Sequence, residues 1–317
     1  MYEAFYKLTG KPFQLSPDPE FLYLGRGHKR ALAYLRYGLE KAEGFIIITG
    51  NVGTGKTTLA HALLKQFIKE DIVAGRVVTT QLDPDDTLRM VAGAFGLRQE
   101  GKTKATLLQQ LEQFFVRVYK GGKRTLLLVD EAQNMPRQSL EELRMLSNLT
   151  LGEHPLFQCF LLAQNEFQAT LNGPGMEQFR QRVIAGYHLT PLDLSETRSY
   201  IEYRLRHVGW DQDPVITDDG FEAIYRHSHG VPRQINRLAD RILVFGFLDE
   251  RHEIDGHVVD LVAEEIAAEV GAVIKEGARD GGKAESDGEK PQGVIDSRLA
   301  QIEAKLEALT EALKADR

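Results

Sequence analysis

The chain has 317 residues, with 39 Lys and Arg against 46 Asp and Glu, for a net charge of −7. That length allows about two domains of roughly 150 residues, and the acidic balance gives no support to a dedicated nucleic-acid binder, although it leaves room for a local basic strip. A single Cys rules out an intrachain disulfide and any Cys-based zinc or iron–sulfur framework.

Met1 to Tyr6 lacks the basic start and continuous apolar core of a signal peptide. No apolar run approaches the roughly 20 residues needed to span a bilayer. The expectation is a cytoplasmic protein without a membrane span. In chain order, short apolar runs at Phe45–Thr49, Arg76–Leu82, Thr125–Val129, Leu156–Ala163 and Ala185–Leu189 predict strands. Helical patterns lie between them at Lys56–Lys69, Thr87–Phe95, Lys104–Tyr119 and Ser139–Leu149. Runs apolar on both sides suit a parallel sheet covered by helices on both faces, and this alternation is the βαβ signature of an α/β fold.

Residues from about Asp193 to Ile274 carry almost no strand signal and read as a smaller all-α domain. Ser195 starts one helix, Asp218 caps a second that Gly230 ends, Pro232 opens a third, and a fourth runs from about Asp255 to Val270. Glu276 to Gly293 is Gly-rich, charged and nearly free of large apolar groups, so it predicts a flexible linker. Beyond it, Ile295, Leu299, Ile302, Leu306, Leu309 and Leu313 recur at spacings of 4, 3, 4, 3, 4, a heptad seam. With Leu299 at position a, Arg298 faces Glu303 of a partner helix in the g-to-e′ sense, the alternative being a lone amphipathic helix lying on the body of the protein. The domain reading is therefore 1–192 α/β, 193–274 helical, 275–293 linker and 294–317 coiled coil.

Gly50-Asn51-Val52-Gly53-Thr54-Gly55-Lys56-Thr57 satisfies G-x-x-x-x-G-K-S/T after a strand and before a helix. The glycines permit backbone angles that turn successive N–H groups inward, an anion nest at a helix N-terminus. The candidate nucleotide-binding set is this loop together with Thr58. Lys56 places a point charge on the β- and γ-phosphates, and the Thr57 hydroxyl ligates Mg²⁺. Leu126-Leu127-Leu128-Val129-Asp130-Glu131 is an apolar strand ending in two acids. Delivered to the carboxyl edge of the sheet, Asp130 holds Mg²⁺ through water and Glu131 polarises the attacking water. ATP and Mg²⁺ are the implied ligands.

The order phosphate loop, Asp-Glu strand, polar residue after the next strand, Arg pair and helical lid resembles an AAA+ ATPase. Tyr6 to Phe13, Pro17-Asp18-Pro19, Phe21-Leu22-Tyr23, Gly27-His28, Leu140 to Leu149 and Gln181-Arg182-Val183 resemble the ExeA/GspA-type secretion ATPases. Within them, the exosortase/PEP-CTERM-associated branch, linked to exopolysaccharide export, is the nearest in pattern. The resemblance implies that Gln164 is the polar sensor of the γ-phosphate or attacking water, in a loop whose neighbours Ala163, Asn165 and Phe167 depart from the family pattern. It implies that Arg182, with Arg180 as the competing candidate, is an arginine finger acting on a neighbouring subunit. Arg233 then matches the lid arginine that senses nucleotide within its own subunit. Arg233, Arg237 and Arg241 form one basic stripe at i, i+4, i+8, readable as a solvated face paired with Asp240 or Glu250 or, beyond Arg233, as a contact with a neighbouring subunit or nucleic acid. The implied partners are further copies of the chain and envelope secretion or polysaccharide-export components, reached from the cytoplasm and at the inner membrane through those partners. A transposition-helper ATPase of the TniB/TnsC sort, which polymerises on DNA, and a nucleotide-gated scaffold with little turnover are the alternatives. The overall acidity and the amino-terminal match argue against the first, and Glu131 against the second. His227-Ser228-His229 has no acidic or Cys partner at metal spacing and reads as a turn cap. Cys159, inside an apolar strand, reads as inert core.

Overall fold

The computed structural model describes residues 1–14, 21–41, 43–67, 71–78 and 86–279. Contacts divide the chain into two units, Met1–Glu265 and Ile266–Arg317. Everything below concerns the first unless stated.

Five parallel strands form the central sheet: β1 (Phe45–Gly50), β2 (Ile72–Val78), β3 (Arg124–Asp130), β6 (Gln158–Ala163) and β7 (Val183–Leu189), in the order β2-β3-β6-β1-β7. Two-residue strands β4 (Thr150–Leu151) and β5 (His154–Pro155) make a small antiparallel pair before β6. Alternation along the central strands splits the core into two layers. Phe45, Ile47, Leu127, Val129, Cys159 and Leu161 pack with helices α4 (Thr87–Ala94), α5 (Lys104–Lys120) and α6 (Arg137–Ser147) on one face. Ile46, Ile48, Leu126, Leu128, Phe160 and Leu162 pack with α2 (Arg26–Lys41) and α3 (Lys56–Phe67) on the other. Strands β1 and β6 are buried along their whole length, because both faces are covered. Cys159 lies fully buried in β6, where burial pushes its thiol well up in pKa, as an inert core residue requires.

The sequence-based expectations differ from this in a few places. Strand β2 begins at Ile72, four residues earlier than the apolar run suggests, and includes Gly75. A side chain at Gly75 would meet the Phe95 ring at 2.9 Å, so the glycine is a packing requirement rather than a strand end. The rest of the expected strand, 79–82, lies outside the described residues. Helix α6 starts two residues before Ser139, at Arg137. Helix α2 was not expected at all, although its buried stripe His28, Ala31, Leu35 and Leu39 has helical spacing.

After the sheet come α9 (Leu194–His207), α10 (Asp218–Ser228), α11 (Pro232–Leu248) and α12 (Gly256–Arg279). Asp193, not Ser195, caps α9: it accepts from Glu196 N at 2.8 Å and closes a capping box with Glu196. Thr217, not Asp218, caps α10 by accepting from Gly220 N at 3.2 Å. The region also holds strand structure, since β8 (Val215–Ile216) pairs in parallel with β9 (Glu253–Ile254). His227 does have an acidic partner, Asp260 of α12, 2.6 Å from its Nε2. His229 takes the left-handed C-cap position, φ 50°, as a turn cap should. Asp240, expected to pair with the α11 arginines, accepts a bond from Tyr2 OH at 2.7 Å. Helix α12 runs on to Arg279, past the expected start of the linker at 275. The remainder of that linker and the heptad segment 294–317 lie outside the described residues.

Candidate functional site

Strand β1 ends at Gly50 and the chain turns through Asn51–Gly55 into α3. Gly53 and Gly55 take φ values of 81° and 93°, which a side chain resists, and this alternation makes the nest. The first intrahelical bond of α3 runs from Leu59 N to Gly55 O at 2.9 Å. The N–H groups of Gly55, Lys56 and Thr57 therefore precede the helical ladder and are available to an anion. Lys56 Nζ donates to Gly50 O at 2.8 Å and Asn51 O at 3.0 Å, which ties the loop into a ring. Burial lowers the Lys56 pKa, opposed by the negative charges of Glu131, Asp130 and Glu166.

Strand β3 delivers Asp130 to the same edge of the sheet. Thr57 Oγ1 donates to Asp130 Oδ1 at 3.3 Å, while Arg76 of β2 holds Oδ2 at 3.3 Å. Glu131 then takes a left-handed turn, φ 55° and ψ 41°. Gln133 Nε2 and Gln164 Nε2 donate to its Oε2 at 2.5 and 3.0 Å, and Gln164 N donates to Gln133 Oε1 at 3.0 Å. Burial raises the Glu131 pKa, but the two amide donors and the Lys56 charge outweigh it and the net shift is downward. Glu131 is thus held as a carboxylate, the form that accepts a proton. Asn165 Nδ2 also donates to Asn51 Oδ1 at 2.5 Å, so the loop after β6 is docked on the phosphate loop despite its unusual neighbours.

A cleft of about 370 Å³ opens from this cradle. Its far wall comes from Phe21, Tyr23, Tyr200, Arg204 and Asn236. Arg204 is buried, donates to Pro12 O at 2.5 Å and to Tyr200 OH at 3.0 Å, and lies 4.8 Å over the Phe21 ring. These bonds hold the N-terminal segment against α9, and Tyr200 OH links onward to Asn236 Oδ1 at 2.7 Å. Arg233, at the start of α11, closes the cleft from above; its backbone N donates to Gly53 O at 3.2 Å.

The two other arginines are elsewhere. Arg182 immediately precedes β7, whose Val183 pairs with Phe45 at the start of β1. The length of β1, about 16 Å, separates it from its own phosphate loop. Its Nη2 donates to Asn148 Oδ1 at 2.6 Å. Arg180 donates to Leu171 O and pairs with Glu177 at 3.4 Å. Neither side chain reaches the cradle of its own chain.

Sequence reasoning missed Arg76, Gln133, Tyr200, Arg204 and Asn236. Gln133 lies two residues past Glu131 and was legible as a polar residue beside a catalytic candidate. The other four come from three elements, Arg76 from β2, Tyr200 and Arg204 from α9 and Asn236 from α11, and nothing local in the sequence points them at the site.

The residues present fit ATP and Mg²⁺. The inward N–H groups and Lys56 suit a triphosphate, and the Thr57 hydroxyl beside Asp130 suits one octahedral cation completed by water and phosphate oxygens. Among the described residues no group of three or more His, Cys, Asp and Glu is placed to hold a metal by itself, as a phosphate-shared Mg²⁺ does not need one.

This fold and this cradle define an AAA+ P-loop domain. Residues 39–171 match the AAA domain family. The ORC2 protein of Aeropyrum pernix, solved as ADPNP–ADP complexes, superposes with a TM-score of 0.61 at 20% identity, over 80% of this chain and 71% of that one. ORC of Drosophila bound to DNA gives 0.62 at 14% identity, over 86% and 68%. At these identities the likeness is one of fold. In sequence the chain is 37% identical over 268 residues to General secretion pathway protein A of Aeromonas hydrophila, covering 84% of this chain and 49% of that protein. It spans about half the length of that curated relative.

Proposed function

We propose that the protein binds ATP with Mg²⁺ and hydrolyses it, using the cycle to drive or regulate assembly of an envelope secretion system, with exopolysaccharide export as the specific setting. The observation that carries the catalytic part is the meeting of Lys56, Thr57, Asp130, Glu131 and Gln164 at one edge of the sheet. In this reading the loop N–H groups and Lys56 hold the phosphates. A Mg²⁺ ion on Thr57 and Asp130 would neutralise charge on the β- and γ-oxygens. Gln164 and Gln133 orient the Glu131 carboxylate, which takes the proton of the attacking water. Helices α9 to α11 serve as a lid, with Arg233 the in-chain sensor. Arg182, stranded at the opposite edge, acts on the phosphates of a neighbouring copy, with Arg180 second. The secretion setting rests on the General secretion pathway relative and on the amino-terminal motifs. No helix among the described residues is long and apolar enough to cross a membrane, and any inner-membrane association runs through partners.

The test is steady-state ATP turnover across protein concentrations, with light scattering, and with and without DNA. Turnover per chain should rise with concentration and ignore DNA. Turnover that appears only with DNA would favour the transposition-helper reading. Nucleotide binding with no turnover at any assembly state would leave a nucleotide-gated scaffold.

A further inference from the structure

Five carbonyl oxygens of the phosphate loop accept hydrogen bonds. Lys56 Nζ serves Gly50 and Asn51, Thr54 Oγ1 also serves Asn51, and Leu59 N serves Gly55. Gly53 O is held by Arg233 N of α11 at 3.2 Å. Thr54 O is held by a side chain from outside the loop, His28 of α2, whose Nε2 lies 3.1 Å away.

That last bond has a directional consequence. A peptide unit is planar and trans, so its C=O and N–H point in opposite directions. Drawing the Thr54 carbonyl back toward α2 turns the N–H of Gly55 the other way, into the cradle. Because a carbonyl can only accept, His28 must carry its proton on Nε2. Nδ1 is then an acceptor, and it is buried with no hydrogen-bond partner among the described residues. His28 is 4% exposed at the head of the buried α2 stripe. Leaving a ring nitrogen orphaned there is unfavourable, so for packing alone an apolar residue would serve better. What an apolar residue lacks is the Nε2–H. The fit to the loop is tight on the other side as well. A Cβ at position 55 would stand 3.0 Å from His28 Nε2, so Gly55 admits the imidazole as well as its own φ of 93°. Burial lowers the His28 pKa, opposed by the bond to the Thr54 carbonyl, which favours a proton on Nε2.

We infer that His28 is a positioning residue of the phosphate cradle, its Nε2–H holding the Thr54 carbonyl so that the Gly55 N–H faces the phosphates of a bound nucleoside di- or triphosphate. The inference rests on reading the loop as a nucleotide site. It does not involve the hydrolytic residues.

The experiment compares His28→Ala, His28→Gln and His28→Asn in the full chain. Fluorescent ADP is the probe, ADP and adenosine are the competitors, and thermal unfolding is followed without nucleotide. The Gln amide can stand where Nε2 stands, and the Asn amide where Nδ1 stands. His28→Ala should weaken ADP by roughly tenfold or more, the size of one hydrogen bond that orients a donor to a charged group, and leave adenosine unchanged. His28→Gln should recover most of that loss, and His28→Asn should not. Equal losses in Gln and Asn that follow the loss of thermal stability would mean a packing role and overturn the inference, as would full ADP affinity in His28→Ala. Should the Ala variant not fold, the Gln and Asn pair decides by itself. If wild type binds no ADP while the fold is intact, the nucleotide reading falls, and the His28 inference with it; if wild type binds and only Lys56→Ala is impaired, the His28 inference alone falls.

Discussion

The two ends of the central sheet carry opposite halves of the chemistry. At the carboxyl ends of β1, β3 and β6 the polar side chains are bonded to one another and to the loop, as with Thr57 and Asp130, Gln133 and Glu131, and Asn165 and Asn51. At the amino end of β7, the Arg180 and Arg182 side chains are bonded, among the described residues, to Leu171 O, Glu177 and Asn148. One end has its polar side chains bonded to one another, which holds the donors of the loop in fixed directions. The other end supplies two arginines that do not reach the cradle of their own chain. A single copy therefore holds a complete binding cradle but, on the proposed reading, an incomplete hydrolytic site.

The largest expected effect lies in the cradle. Lys56→Ala removes both the phosphate counter-charge and the bonds that tie Gly50 and Asn51 into the ring. Affinity for ATP by calorimetry should fall by about two orders of magnitude or more, with turnover lost. Retained affinity would mean that the loop N–H groups suffice without the lysine. At the opposite end, Arg182→Ala should leave nucleotide affinity intact and lower turnover by about 10³-fold or more. Mixing it with Glu131→Gln chains should restore activity at mixed interfaces. No restoration at any ratio, with assembly confirmed by light scattering, would transfer the role to Arg180 or remove it.

Glu131→Gln keeps the shape of the side chain but cannot take a proton. Turnover should drop by about 10²–10⁴-fold with binding preserved; wild-type rates would show that water is activated otherwise. The smallest effect concerns the hydrogen-bond support of that acid. A group with a depressed pKa works above that pKa and loses its role as pH falls through it. Gln133→Ala removes one of the two donors that lower the Glu131 pKa. The acid limb of the turnover profile should move to higher pH. An unmoved limb with reduced turnover would make Gln133 a packing residue.

The sequence alone determined what is local in space as well as in the chain. The phosphate loop, its flanking β1 and α3, and the Asp130–Glu131 strand end are legible because residue type, spacing and backbone geometry act within a few residues of one another. The heads of α9 and α10 were legible to within two residues, the error lying in which of several adjacent polar groups makes the cap bond. What only the tertiary structure decided is what depends on packing across elements. The apolar run starts at Arg76, one residue after Gly75, whereas β2 runs through Gly75 beneath the Phe95 ring. His28, Tyr200, Arg204 and Asn236 come to one cleft because α2, α9 and α11 return to the phosphate loop, and the sheet order β2-β3-β6-β1-β7 sets Arg76 of β2 beside Asp130 of β3. A hydrogen bond between residues 26 or 192 positions apart leaves no period in the sequence, because its free energy depends on where the chain returns and not on what lies beside it.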